Sequence, residues 1–247
     1  MNLRFAYNTN GTANHRLDDA IGLIADAGYA GVALTLDHHH LDPMAAGWQT
    51  RTEALARRLR DLGLGCVIET GARYLLDPRQ KHEPTLLSPT AEARAGRIAF
   101  LQRATEIGAM LGAEAMSFWA GVPLPGVRRV DAAAWLEEGI AEVLAHAQAH
   151  GMAAALEPEP GMLVETLDDW AALQTSLPSL RLALDLGHCL VTRERDPAAA
   201  VIEFAPHIGT VAIEDMQAGE HTHLPFGEGG MDIPACLDAL ETIGFNG

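Results

Sequence analysis

Cysteine is scarce in this chain, and the three present, Cys66, Cys189 and Cys236, share no CxxC spacing. That excludes a disulfide framework of the kind that staples small secreted domains, and it points to a reducing, cytoplasmic setting. Basic residues are also few: 17 Lys and Arg stand against 33 Asp and Glu, for a formal net charge of −16. Such a surface repels phosphate backbones, which argues against nucleic acid as a partner. No apolar run approaches the roughly 18 residues of a membrane span, and the start MNLRFAYNTN lacks the basic and apolar regions of a signal peptide. A soluble protein with no membrane partner is expected. The first strand-like run also lacks a following GxGxxG, the phosphate-binding turn of dinucleotide folds.

What is present is an alternation of short apolar runs with helical stretches, repeated seven times. LRFAYNT precedes a stretch whose Leu17, Ile21, Leu23, Ile24 and Ala27 gather on one helical face before Gly28 ends it. AGVALTL then precedes a helix over 51–62, GCVIETG one over 90–111 and AEAMSFWAG one over 131–150. MAAALEPEP leads to a shorter helix over 167–173, LRLALDLGH to one over 197–204 and IGTVAIEDM to one over 233–243. Nearly continuous apolar strands separated by helices are parallel strands covered on both faces. Glycine marks the αβ junctions, as in DAGYAGVAL and DLGLGCVIE. The 247 residues, 48% of them hydrophobic, therefore read as one α/β domain over 1–247, a (β/α)₈ TIM barrel in preference to a doubly wound sheet. Only seven units are visible, so the eighth strand and helix are expected beyond Gly247, in a chain truncated at its C-terminus.

In such a barrel the polar groups at the C-terminal ends of strands form the active site. Strand five ends at Glu157, strand six at Asp185, and strand seven at Glu214 and Asp215, all expected at one mouth. Converging carboxylates repel one another unless a cation compensates, and carboxylates with an imidazole suit one divalent ion such as Mn²⁺, Mg²⁺, Co²⁺ or Zn²⁺. Each acid taken alone reads equally as a helix cap or an arginine partner. His188 follows Asp185 by three residues and can share its rim, or pack on the barrel end. His221 and His223 lie in the segment GEHTHLPFGEGGMD, read as a glycine-rich loop after strand seven whose imidazoles face metal, substrate or solvent. Arg73, Arg79, Lys81 and His82 concentrate positive charge in the loop after strand three, either to attract a phosphate or carboxylate or to form rim ion pairs with Asp77 and Glu83. Trp119, at the end of strand four, is a candidate platform for a sugar-like ring or a packing residue. His38 to His40 are internal and so are not an expression tag.

At Glu157, at the Asp185-Leu-Gly-His188 spacing and at His223-Leu-Pro-Phe-Gly-Glu-Gly-Gly-Met-Asp232, the chain resembles the xylose-isomerase-like barrel superfamily, which includes sugar isomerases and epimerases, hydroxypyruvate isomerase, inosose dehydratase and endonuclease IV. The element order agrees over nearly the whole chain, and the specific motifs lie from strand five onward. The resemblance implies a single divalent metal held by a glutamate after strand five, an aspartate after strand six, a histidine or glutamine on strand seven and a glutamate on strand eight. Glu157 matches the first, Asp185 the second, and His188 the accompanying substrate-facing histidine. The strand-seven position is Ala212, so Glu214, two residues on and on the same face, is the candidate substitute. His221 and His223 resemble histidines of the endonuclease branch, but Trp119 stands where that branch has a histidine, which argues against a trinuclear zinc site.

The implied activity is metal-assisted proton transfer in a sugar, polyol or sugar phosphate through an enediolate, with Glu157 as acid and base. The substrate-binding candidates are His188, His221, His223, Trp119, Arg73 and Lys81. The alternatives are a dehydratase using the same enediolate, a phosphodiester hydrolase, and a non-catalytic metabolite-binding barrel. A small carbohydrate-like molecule is the expected ligand, and family habit implies a homodimer.

Overall fold

In the computed structural model, which describes residues 3–247, seven strands form one parallel sheet in sequential order. They are β1 (Ala6–Asn8), β2 (Gly31–Thr35), β3 (Gly65–Glu69), β4 (Met116–Trp119), β5 (Ala154–Glu157), β6 (Arg181–Asp185) and β7 (Ile208–Ala212). The order separates the two α/β architectures. A doubly wound sheet reverses its strand order at a switch point, whereas here each strand pairs only with its neighbours in sequence. The result is the curled sheet of a TIM barrel carrying seven of its units. Among the described residues β1 and β7 are its edges, and the chain returns to the foot of β1 at its end. Arg4 donates from Nε to the Asn246 carbonyl at 2.6 Å and from its backbone N–H to Gly247 at 3.3 Å.

The helices are α1 (Leu17–Asp26), α2 (Trp48–Leu62), α3 (Ala91–Leu111), α4 (Arg129–Ala149), α5 (Leu167–Ser176), α6 (Leu186–Thr192), α7 (Pro197–Glu203) and α8 (Ile233–Thr242). Local chemistry explains their limits. Thr90 caps α3 by accepting from Ala93 N–H, and Gly112 ends it with a left-handed φ of 68° that a side chain would resist. Between these limits Phe100, Leu101, Ala104 and Ile107 are fully buried on the face turned to the sheet. A reciprocal box between Thr166 and Asp169 starts α5. In β5, Ala154, Ala155 and Leu156 are buried on both faces, so Glu157 is the first residue of that strand able to meet the mouth. No helix among the described residues is long and apolar enough to cross a membrane, and all three cysteines are free and buried.

Three features differ from the sequence expectation. β1 spans Ala6–Asn8 and not the whole of LRFAYNT. The unforeseen α6 starts directly after β6, because Asp185 itself is the cap: its Oδ1 accepts from His188 N–H at 3.1 Å. The first part of the segment read as a glycine-rich loop is a strand, β9 (Glu220–Leu224), paired antiparallel with β8 (Asp215–Gln217) just before it. His221 and His223 thus sit on a strand, two residues apart and on one face.

Candidate metal centre

The ends of β5 and β6 and the first turn of α6 bring Glu157, Asp185 and His188 together, with a donor atom of each within 4.8 Å of the others. His188 Nδ1 lies 3.8 Å from Glu157 Oε1, and its Nε2 lies 3.7 Å from Asp185 Oδ2. The three side chains are only 18%, 5% and 7% exposed, in the order Glu157, Asp185, His188. The Pro158 carbonyl stands 3.0 Å from His188 Nδ1. A carbonyl oxygen only accepts, so the ring carries its proton on Nδ1 and presents the Nε2 lone pair to Asp185 and Glu159, with Glu157 on the Nδ1 side.

Five carboxylates share this mouth: Glu69, Glu157, Glu159, Asp185 and Glu214. Burial raises the Glu157 carboxyl well above the ordinary range, and the charges of Asp185, Glu69, Glu159 and Glu214 raise it further. Burial also pushes Glu69 up to about 7, partly offset by the hydroxyl of Ser117, which donates to it. Glu214 is pushed up to about 8 by burial, then by the charge of Asp185 and a hydrogen bond to it. Against this repulsion stand only the Ser117 hydroxyl at Glu69 and the imidazoles of His188 and His223 at Glu214, and no arginine or lysine offsets it. A divalent cation bound by two carboxylates and one neutral imidazole would answer it better, and the donor set fits such an ion. Cys189 is no competitor, since burial holds its thiol up to about 12.

Ala212 pairs in register with Asp185, which places the departure from the family pattern directly beside the aspartate. Glu214 reaches across to Asp185, and its Oε2 meets His223 Nδ1 at 2.6 Å. It borders the converging triad and is not one of its three members. His221 joins a second, overlapping set with Glu159 and His188, its Nε2 lying 3.8 Å from Glu159 Oε1.

Asp215 does not face the mouth. Its carboxylate accepts from the backbone amides of Gly227, Gly229 and Met231 at 2.8, 3.0 and 3.1 Å. Burial opposes its ionisation, but these amides outweigh burial and lower its pKa. A Cβ on Gly229 would stand 2.0 Å from Asp215 Oδ1, so only glycine allows that approach.

The expected substrate contacts divide. Trp119, paired in register with Glu157, is 8% exposed, with the Arg97 guanidinium 4.5 Å from its ring centroid and the edge of His82 at 5.3 Å. Arg73 donates to Asn10 Oδ1 and lies 3.9 Å from the buried Asp37, not beside Asp77 or Glu83. Lys81 is exposed, and its charge bears on His82.

Two mouth acids were absent from the sequence expectation, although one rule already available would have found the first. Glu69 ends the apolar run GCVIE of β3 just as Glu157 ends that of β5. Glu159 follows Glu157 by two residues in EPE, and only its position 3.9 Å from His188 Nε2 gives it significance.

The family profile described as "Xylose isomerase-like TIM barrel" matches residues 21–247. A search of curated proteins gave no match. Among solved structures, a D-tagatose 3-epimerase-like protein aligns with a TM-score of 0.79 at 18% identity, over 99% of this chain and 88% of that one. The D-allulose 3-epimerase of Methylomonas sp. in complex with D-allulose aligns at 0.74 and 19%, over 99% and 82%. An L-ribulose 3-epimerase aligns at 0.76 and 23%, over 99% and 79%. At these identities the likeness is one of fold. With the profile covering all but the first 20 residues, the chain belongs to the xylose isomerase-like TIM barrel family.

Proposed function

We propose that this protein is a divalent-metal-dependent isomerase or epimerase of a sugar or polyol, moving a proton next to a carbonyl through an enediolate. The observation that carries the reading is the convergence of Glu157, Asp185 and His188 in a mouth crowded with carboxylates. The solved structures that share the fold include sugar 3-epimerases, which agrees with it.

A divalent cation held by these three residues would supply Lewis acidity, polarising a bound α-hydroxy carbonyl compound and acidifying the C–H of its hydroxyl-bearing carbon. Glu157 takes that proton. Its place at the C-terminal end of β5 holds the carboxylate at the mouth, where a bound substrate would lie. Isomerisation requires only that Glu157 return the proton to the neighbouring carbon. Epimerisation requires a second proton donor on the opposite face, which the family pattern assigns to an eighth strand. The acidity of the mouth disfavours a phosphodiester substrate.

The test is exchange of solvent deuterium into a panel of free ketoses, with Mn²⁺ or Co²⁺ supplied. Exchange at the carbon beside the carbonyl is expected, with a loss on the order of 10²-fold or more in Glu157→Gln protein. Metal binding without exchange into any ketose would instead establish a metabolite-binding barrel.

A further inference from the structure

A second cluster of metal-ligating side chains lies at the other end of the barrel. His146 and the residue that ends α4, His150, are four apart and share a helical face, their ring centroids 4.4 Å apart with planes inclined by 33°. Glu106 of the neighbouring α3 brings Oε1 within 3.5 Å of His146 Nε2. A donor atom of each of the three lies within 4.8 Å of the others. The last turns of α3 and α4 feed the starts of β4 and β5, so this cluster sits at the foot of the barrel, opposite the mouth.

Its details are those of a ligand set awaiting a cation. His150 Nδ1 stands 2.9 Å from the carbonyl oxygen of His146, which can only accept, so His150 keeps its proton there and leaves the Nε2 lone pair free. His146 Nε2 is buried without a hydrogen-bond partner, an uncommon state for a polar atom. Arg103 donates from Nε to the other oxygen of Glu106 at 3.0 Å and lies over the Trp48 ring at 4.2 Å, which orients the carboxylate and leaves Oε1 to the imidazole. The C-terminal end of α4 adds negative potential.

We propose that Glu106, His146 and His150 form a second metal site, which takes one Zn²⁺ or similarly borderline first-row cation and pins α3 to α4. Two imidazole nitrogens and a carboxylate oxygen suit that ion, with its remaining position left to water. Tetrahedral zinc at its usual bond lengths needs donors about 3.3 Å apart. The Glu106–His146 pair, at 3.5 Å, is close to this, and a donor atom of the exposed His150 lies within 4.8 Å of both.

The experiment is equilibrium dialysis of metal-stripped protein against Zn²⁺, comparing wild type with a His146→Gln/His150→Gln variant. Both substitutions lie away from the mouth, so turnover is expected to persist while bound zinc falls by one equivalent. Asp185→Asn/His188→Gln protein, disabled at the mouth, is expected to keep that equivalent and to melt at a higher temperature when zinc is added. Equal zinc content with and without the two foot histidines would overturn the proposal and leave a simple ion pair between Glu106 and His146. The wild-type comparison decides the matter even if the mouth variant fails to fold.

Discussion

The carbonyl of Pro158, the residue directly after Glu157, stands 3.0 Å from His188 Nδ1 and orients that imidazole. The end of β5 thereby sets the tautomer of a residue carried by α6. Nitrogen NMR of the histidine side chains is expected to show His188 as the Nδ1–H form, and an Nε2–H form would contradict this geometry. Replacing His188 by Gln should weaken divalent-metal binding at the mouth by at least roughly the tenfold that loss of an outer-shell partner costs in metal sites. Calorimetric titration of Mn²⁺ measures it.

Glu69, Glu157 and Glu214 all have raised pKa values, at about 7 for the first and about 8 for the third. A carboxyl whose pKa is higher in the folded than in the unfolded chain contributes stability below its unfolded value, and that stability is lost as pH rises through the folded value. Metal-free protein should therefore melt at progressively lower temperature as pH rises from about 5 to about 8. Glu214→Gln should flatten the upper part of that decline, and added divalent cation should reverse it. A melting temperature that is level across this range would contradict the crowded-carboxylate account.

The ribbon of β8 and β9 is anchored through Asp215, whose carboxylate accepts three backbone amides from residues 227 to 231. Gly229→Ala would push a methyl group into that carboxylate. Overpacking of this kind costs about 1–3 kcal/mol, and the expected loss in melting temperature is roughly 3–10 °C. Because His221 and His223 ride on the same ribbon, KM should rise as well. An unchanged thermal midpoint with unchanged KM would show that the anchor does not matter.

Phosphorylated sugars should be poor substrates. Arg73 is committed to Asn10 and Asp37, and Arg97 is 1% exposed beneath Trp119, so neither is free to pair with a phosphate. Five carboxylates repel the dianion. The expected kcat/KM for a free ketose exceeds that for its phosphate ester by at least about tenfold, equivalent to roughly 1.4 kcal/mol. A preference for the phosphate ester would show that the exposed Lys81 or Arg79 swings in to bind it.

Much of this was legible before any coordinates. Parallel strands covered on both faces must be apolar throughout, so seven runs such as MAAALE and LRLALD stand out, and the glycines between them mark where helices stop. The placement of Glu157, Asp185 and His188 at a common end follows from topology, because the C-termini of parallel barrel strands share one face. The same logic applied to GCVIE would have included Glu69. The ribbon was harder to read, because β8 is only three residues long and β9 is polar and exposed, its histidines flanking Thr222, so neither leaves a hydrophobic signature.

The sequence by itself thus determined the alternation, the parallel sheet and the family of the mouth. Only the tertiary structure decided which of two adjacent acids turns inward. Glu214 meets Asp185 across the mouth, while Asp215 is drawn away by amides 12 to 16 residues further along the chain. It likewise decided that Glu106 of α3 meets His146 and His150 of α4. Spacing along a strand or helix fixes which residues share a face, but where a polar side chain points depends on partners that folding brings in from distant segments. Local pattern carries no record of those partners.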